Sequence, residues 1–223
     1  MTWLLDSNGI IFRFFYGTGN GDGYLKLLEK IGNEKIIAIF DYCSNNFRKK
    51  ILIDYKKHRV YNPHVGEEIN RIYNYCINKN IEVLRHDEFE ADDLIATYIH
   101  NNEHEEITIV STDKDLCQLV NEKVQIYNPF KRVFLNELYI KDTFGVTAQQ
   151  LALWQALCGD SSDNIPGIKG IGPKTATYII NNMKNIESIQ TEFPKYDFSK
   201  LNIMLNLTTL RKDINIHKSI NSL

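Results

Sequence analysis

Nine carboxylates in this chain occur in spacings that could hold metal ions. Asp160 and Asp163 stand three residues apart in Gly159-Asp160-Ser161-Ser162-Asp163-Asn164. Glu90, Asp92 and Asp93 crowd the stretch Phe89-Glu90-Ala91-Asp92-Asp93, and Asp113 and Asp115 share Ser111-Thr112-Asp113-Lys114-Asp115-Leu116. Asp6 and Asp41 each end a short apolar run. One or two acids opening a helix need no more than the helix dipole to explain them. Three, two of them adjacent, repel one another and favour a cation. A set rich in carboxylates and poor in His and Cys suits a hard cation such as Mg²⁺ or Mn²⁺. Two such ions about 4 Å apart can clamp the attacking and leaving oxygens of a phosphodiester, and one of them lowers the pKa of the attacking water. The expected chemistry is therefore metal-assisted hydrolysis. No Ser-His-Asp or Cys-His spacing competes with it.

A phosphodiester grip follows directly on the last acid pair. Gly167-Ile168-Lys169-Gly170-Ile171-Gly172-Pro173-Lys174 reads as a tight hairpin opening a helix. Its glycines permit positive φ and close backbone approach. Pro173 suits a first helical turn, and free amides at such a start attract phosphate. A second basic stretch, Arg48 to Arg59, carries six Lys or Arg and one acid. Within it Tyr55 can stack on a base, while Lys56 and Arg59 can meet phosphates. Phe12 and Arg13 repeat the pairing of aromatic and cation a few residues past Asp6.

The elements that must position these groups are legible as well. Trp3 to Asp6, Ile36 to Asp41 and Ile107 to Asp113 are apolar runs ending in Asp, the pattern of strands covered on both faces in a parallel sheet. Ligands bind beyond the carboxyl ends of such strands, so three strands ending in Asp would gather carboxylates in one place. Glu68 to Asn78 and Ala91 to His100 show helical periodicity. Thr147 and Gln150 have capping-box spacing ahead of a helix that presents Leu151, Trp154 and Leu157 on one side. From Thr147 onward the pattern is all-helical, which places a boundary near Gly145 and leaves a weakly patterned tail from Ile214 to Leu223. The expectation is an α/β core over 1–145 and a helical domain over 146–223.

Composition bounds the class. The chain has 223 residues, 43% hydrophobic and 24% charged, as in ordinary globular proteins. No apolar run is long enough for a membrane span, and no secretion signal is expected at the N-terminus. Cys43, Cys76, Cys117 and Cys158 form no CxxC pair. They are expected to be reduced, small buried hydrophobes in a cytoplasmic protein. The net charge of −2 argues weakly against nucleic acid. Setting aside the nine acids that metal ions would neutralise leaves basic residues in excess.

Taken in order, these motifs resemble the 5′ nuclease (flap endonuclease) family, which includes the 5′-3′ exonuclease domain of bacterial DNA polymerase I and free-standing phage enzymes. The stretches that carry the likeness are Leu4-Leu5-Asp6 with Phe12-Arg13, Ile39-Phe40-Asp41 with Phe47-Arg48, Asp54 to Arg59, Phe89 to Asp93, Ser111 to Leu116 and Gly159 to Ala176. The resemblance implies a PIN-like core with a central, mostly parallel sheet, followed by a helical domain whose helix-hairpin-helix spans 159–180. It implies that all nine acids surround the metal ions. Lys56 would stabilise charge on the scissile phosphate, and Arg48 would assist at the 5′ end of the strand. Phe12, Arg13, Tyr55 and Arg59 would steer or stack the strand. Gly167, Lys169, Gly170, Gly172, Lys174 and Thr175 would bind the downstream duplex backbone, with K⁺ on the hairpin carbonyls. The implied partner is DNA with a 5′ flap, nick or recessed 5′ end, or an RNA primer–DNA hybrid, met by a monomeric, free-standing enzyme. The interval from Asp6 to Asp41 and the segment Phe47 to Gly66 are compact for the family, which bears on the balance of exonuclease to endonuclease activity. The alternatives are a non-catalytic junction-binding protein of the same fold, and an RNA-cleaving nuclease of a related acidic α/β fold.

Overall fold

The computed structural model describes residues 1–42 and 45–216. Cys43 and the end of the weakly patterned tail, residues 217–223, lie outside the described residues. The described chain divides into two compact units that are not contiguous in sequence.

The first unit comprises Met1–Asn46, Val60–Asn136 and the chain from Arg211 onward. Its centre is a six-stranded sheet of β1 (Thr2–Asp6), β2 (Lys35–Asp41), β3 (Glu82–His86), β4 (Ile107–Val110), β5 (Val124–Asn128) and β6 (Val133–Leu135). The strand order is β3-β2-β1-β4-β5-β6. Pairing is parallel throughout except between β5 and β6. The helices α1 (Ser7–Thr18), α2 (Asp22–Ile31), α4 (Pro63–Asn78) and α5 (Ala91–Asn101) belong to this unit. The three runs ending in Asp become adjacent central strands because Val, Ile and Leu on both faces can be covered there; Leu4, Leu5, Ile37, Ile39, Ile109 and Val110 are fully buried. Chain order reverses between β1 and β4, which opens a crevice at their carboxyl ends. β4 stops at Val110, so Asp113 lies three residues past the strand rather than on its end.

The second unit comprises Phe47–Arg59 and Glu137–Leu210. It is helical: α3 (Phe47–Ile51), α6 (Glu137–Phe144), α7 (Leu151–Cys158), α8 (Pro173–Asn182), α9 (Ile189–Glu192) and α10 (Leu201–Thr208). The Thr147–Gln150 capping box forms as its spacing suggests, although it opens one 3-10 turn before α7 begins. The compact units depart from the boundary drawn at Gly145. Phe47–Arg59 packs with the helical unit, because Arg48 is buried against α10: its Nε donates to the carbonyl of Leu207 at 2.8 Å. At the other end, Arg211 returns to the sheet unit. Its amide donates to Asp93 Oδ1 at 2.9 Å and its carbonyl accepts from Thr97 Oγ1 at 3.2 Å.

Candidate metal centre and nucleic-acid elements

Asp6 sits where β1 turns straight into α1 and is 7% exposed. Ser111 Oγ donates to its Oδ2 at 2.6 Å across the β1–β4 crevice. The same Ser111 hydroxyl accepts from the Asp113 amide at 2.9 Å, and the Asp115 amide donates to Asp113 Oδ1 at 2.9 Å. One hydroxyl thus links Asp6 to the turn carrying Asp113 and Asp115. From β2, Asp41 reaches the start of α5, where its Oδ1 accepts from the Ala91 amide at 2.8 Å. Asn8 brackets Asp41 from α1: its Oδ1 accepts from the Asp41 amide at 3.2 Å and its Nδ2 donates to the Asp41 carbonyl at 3.3 Å. Glu90 and Asp92 stand at the N-terminus of α5, Glu90 as its cap.

The electrostatics show what this gathering costs without a cation. Burial pushes the Asp6 carboxyl up to about 7, and the charges of Asp41 and Asp113 push the same way against the Ser111 hydrogen bond. A carboxyl held that far above its usual range is a carboxylate awaiting a positive partner. The donors gathered by these described residues are carboxylate oxygens, which fits a hard divalent ion. Among the described residues, no group of three His, Cys, Asp or Glu side chains stands at ligating distances as it is. The donor set is gathered but not closed.

Asp93 is different from the other acids of the sheet unit. It is fully buried, its Oδ2 accepts from the Glu90 amide at 3.3 Å, and its Oδ1 accepts from the Arg211 amide. It completes the capping box of α5 and fastens the returning chain. Expected as a metal ligand, Asp93 takes a structural role in the fold, each of its oxygens accepting a backbone amide in the interior.

Phe12 and Arg13 lie exposed on α1. The ring of Tyr16 stands 4.6 Å from that of Phe12, and the two are 49% and 58% exposed. Tyr16 had no signal in the sequence beyond its helical spacing from Phe12.

In the second unit the hairpin takes the expected form. Gly159 ends α7 at φ 79° and ψ 173°, a region open essentially to glycine. A Cβ there would lie 2.6 Å from the Ile165 carbonyl oxygen. Asp160 and Ile165 pair through two backbone hydrogen bonds of 2.9 and 2.8 Å, and Ile168 and Ile171 bury themselves beneath the turn. Lys169, Gly170, Gly172 and Lys174 remain on the surface, Thr175 is half-buried, and Pro173 opens α8. Gly167 and Gly170 both have positive φ.

Two expectations for the basic stretch are corrected. Tyr55 is 2% exposed, and its hydroxyl donates to Asp163 Oδ2 at 3.0 Å, so its ring offers no face to a base. Arg48 is also 2% exposed, with its guanidinium 4.6 Å over the Phe47 ring and its Nε on Leu207, so it ties the segment to the helical unit rather than reaching toward a strand end. Lys56 and Arg59 both approach Asp163, at 3.4 Å and 2.7 Å. Of the described cysteines, Cys76 and Cys117 are buried and Cys158 is half-buried, and all three are thiols outside any disulfide. Burial pushes the Cys76 and Cys117 thiols up to about 12, which leaves them inert.

Comparison with known proteins agrees with this geometry. Residues 1–145 match the family model described as 5′-3′ exonuclease, N-terminal resolvase-like domain, and residues 146–223 match 5′-3′ exonuclease, C-terminal SAM fold. The 5′-3′ exonuclease of Aquifex aeolicus is 34% identical over 97% of this chain and 84% of its own length. The flap endonuclease Xni of Vibrio cholerae is 35% identical over 87% of this chain and 79% of its own. Among solved structures, the zinc-bound 5′-exonuclease of bacteriophage T5 superposes with a TM-score of 0.76 at 22% identity, covering 92% of this chain and 84% of that one. A complex of the bacteriophage T5 flap endonuclease with DNA and metal ions gives 0.77 at 20% identity, covering 95% and 88%. With family models matched from end to end and relatives a third identical over most of both chains, this protein belongs to the 5′-3′ exonuclease family.

Proposed function

We propose that the chain is a metal-dependent 5′ nuclease that hydrolyses phosphodiester bonds of DNA at 5′ flaps or recessed 5′ ends, as in primer or flap removal. The observation that carries the reading is the carboxylate gathering at the β1–β4 crevice, with Asp6 held up near 7 by burial and by its acidic neighbours. Asp6, Asp41, Glu90, Asp92, Asp113 and Asp115, with Asp160 added on the family resemblance, are the residues that would hold the cation, and an all-oxygen set favours Mg²⁺. When bound, such ions activate water and neutralise charge developing on the phosphate. The chain's own residues do the rest. Ser111 and Asn8 orient Asp6 and Asp41. Exposed Phe12 and Arg13 offer a ring and a cation to a strand, and the hairpin offers Lys169, Lys174 and accessible glycines to a duplex backbone. Lys56 is proposed to meet the scissile phosphate. A K⁺ ion at the hairpin, and action on RNA–DNA hybrids, rest on the family resemblance.

Cleavage of a 5′-labelled flap duplex with Mg²⁺ and with chelator tests the reading. The expected product is a short labelled fragment cut at the junction and absent with chelator. Asp113→Asn is expected to slow cleavage by roughly 100-fold at saturating Mg²⁺. Tight flap binding with no product over long incubation would instead establish a junction-binding protein.

A further inference from the structure

Asp163 belongs by sequence to the acid set, yet its surroundings are cationic. Arg59 Nη2 donates to Oδ1 at 2.7 Å, Tyr55 Oη donates to Oδ2 at 3.0 Å, and Lys56 Nζ lies 3.4 Å from the same Oδ2. The main chain repeats the attachment: the Lys56 amide donates to the Asp163 carbonyl at 3.0 Å, and Asn164 Nδ2 donates to the Asp54 carbonyl at 2.8 Å. Lys56 and Asn164 both hold left-handed backbone, φ 53° and 59°, which Asn adopts readily and Lys does not. Asp163 is 5% exposed and the Lys56 side chain is mostly buried, so that contact is poorly screened, while Arg59 is half exposed to solvent. Two cations already balance its single charge, and a divalent ion brought to the same oxygens would be repelled by both.

We infer that Asp163 is a positioning residue: it anchors the segment Asp54 to Arg59 to the Asp160–Ile165 loop and so sets where Lys56 stands for the reaction. The inference rests on the reading that Lys56 meets the scissile phosphate. It differs from a ligand role in what the carboxylate holds, a stretch of chain rather than an ion.

The first readout needs neither metal nor substrate. In chelator, trypsin should cut after Lys57 and Arg59 about tenfold faster in Asp163→Asn than in the wild type. Asp113→Asn, in the sheet unit, should leave that rate unchanged. Should Asp163→Asn fail to fold, Tyr55→Phe and Arg59→Gln remove one donor each and should give intermediate rates. The second readout is a double-mutant cycle on flap cleavage. Asp163→Asn should lower kcat with little change in KM, and adding Lys56→Ala should cost little more, since the two changes remove one function. Equal trypsin rates in Asp163→Asn and the wild type would overturn the inference. So would weaker Mn²⁺ binding by Asp163→Asn together with additive kinetic effects. A Lys56→Ala enzyme with unchanged turnover would sink the role of Lys56, while the trypsin rates would still decide whether Asp163 anchors the segment.

Discussion

At the scale of single residues, the chain places a carboxyl where it is costly. Folding raises the Asp6 pKa from 3.8 to about 7. The metal-free native state therefore holds a proton that the unfolded chain releases, and stability falls as pH rises from about 4 to about 7. That rise in pKa caps the penalty above pH 7 at about 4 kcal/mol, and relaxation will return part of it. Asp6→Asn should thus melt higher than the wild type by roughly 3–8 °C at pH 8 in chelator. The gap should narrow as pH falls below 7 and close only below about pH 4, where the carboxyl is protonated in the folded and unfolded chains alike. Added Mg²⁺ should raise the wild-type midpoint, as any ligand bound only to the native state does, and leave the variant nearly unmoved. A variant less stable than the wild type at pH 8 would show that the crevice holds Asp6 without strain. Ser111 is the neighbour most easily overlooked in the sequence. Its hydroxyl spans Asp6 and the Asp113 amide, and nothing in a Ser-Thr-Asp triplet announces which strand lies opposite.

At the scale of elements, the hairpin is a test of what each glycine does. Gly159 and Gly172 look alike in the sequence and differ in the fold. Gly159 occupies backbone that side chains rarely adopt, with the Ile165 and Pro166 backbone pressed against its Cα. Gly172 has φ −98° and open space where a Cβ would go. Gly159→Ala should cost about 2–4 kcal/mol of stability and weaken binding to flapped duplex. Gly172→Ala should change stability by less than about 0.5 kcal/mol, so any loss of affinity there reports close approach of the duplex. Thermal melts and flap titrations on the two variants separate these roles. The same contrast runs through the acids of α5. Asp92 stands half-buried in the first turn, whereas Asp93, its neighbour, closes a capping box and receives Arg211. A helix turns 100° per residue, so adjacent acids cannot share a direction.

At the scale of the whole molecule, the chain leaves each unit and returns to it. The sheet unit takes back the chain at Arg211, and Asp93 and Thr97 both bond to that residue's backbone. A chain truncated after Leu210 should therefore lose about 2 kcal/mol or more of stability, with faster hydrogen exchange in α5, although the truncation lies outside the residues of the sheet itself. Unchanged exchange in α5 would show that the returning segment merely lies alongside.

Much of this was legible in the residues. Continuous apolar runs specify strands buried on both faces, and an Asp at the end of each specifies acids at one edge of a parallel sheet, since both follow from local pattern and from the rule that parallel strands share a direction. The hairpin, its proline-started helix and the Thr147–Gln150 cap are equally local, because each depends on backbone freedom or on a side chain reaching its own turn. What the tertiary structure alone decided is partnership across long separations. Residue type made Tyr55 a stacking ring, Arg48 a strand guide, and Asp93 and Asp163 ligands. Burial against Leu207, Arg211, Lys56 and Arg59 made them fasteners instead. A carboxylate's charge is written in its own side chain, but whether it faces a cation from solvent, an amide or an arginine depends on segments more than a hundred residues away, and no local pattern carries that.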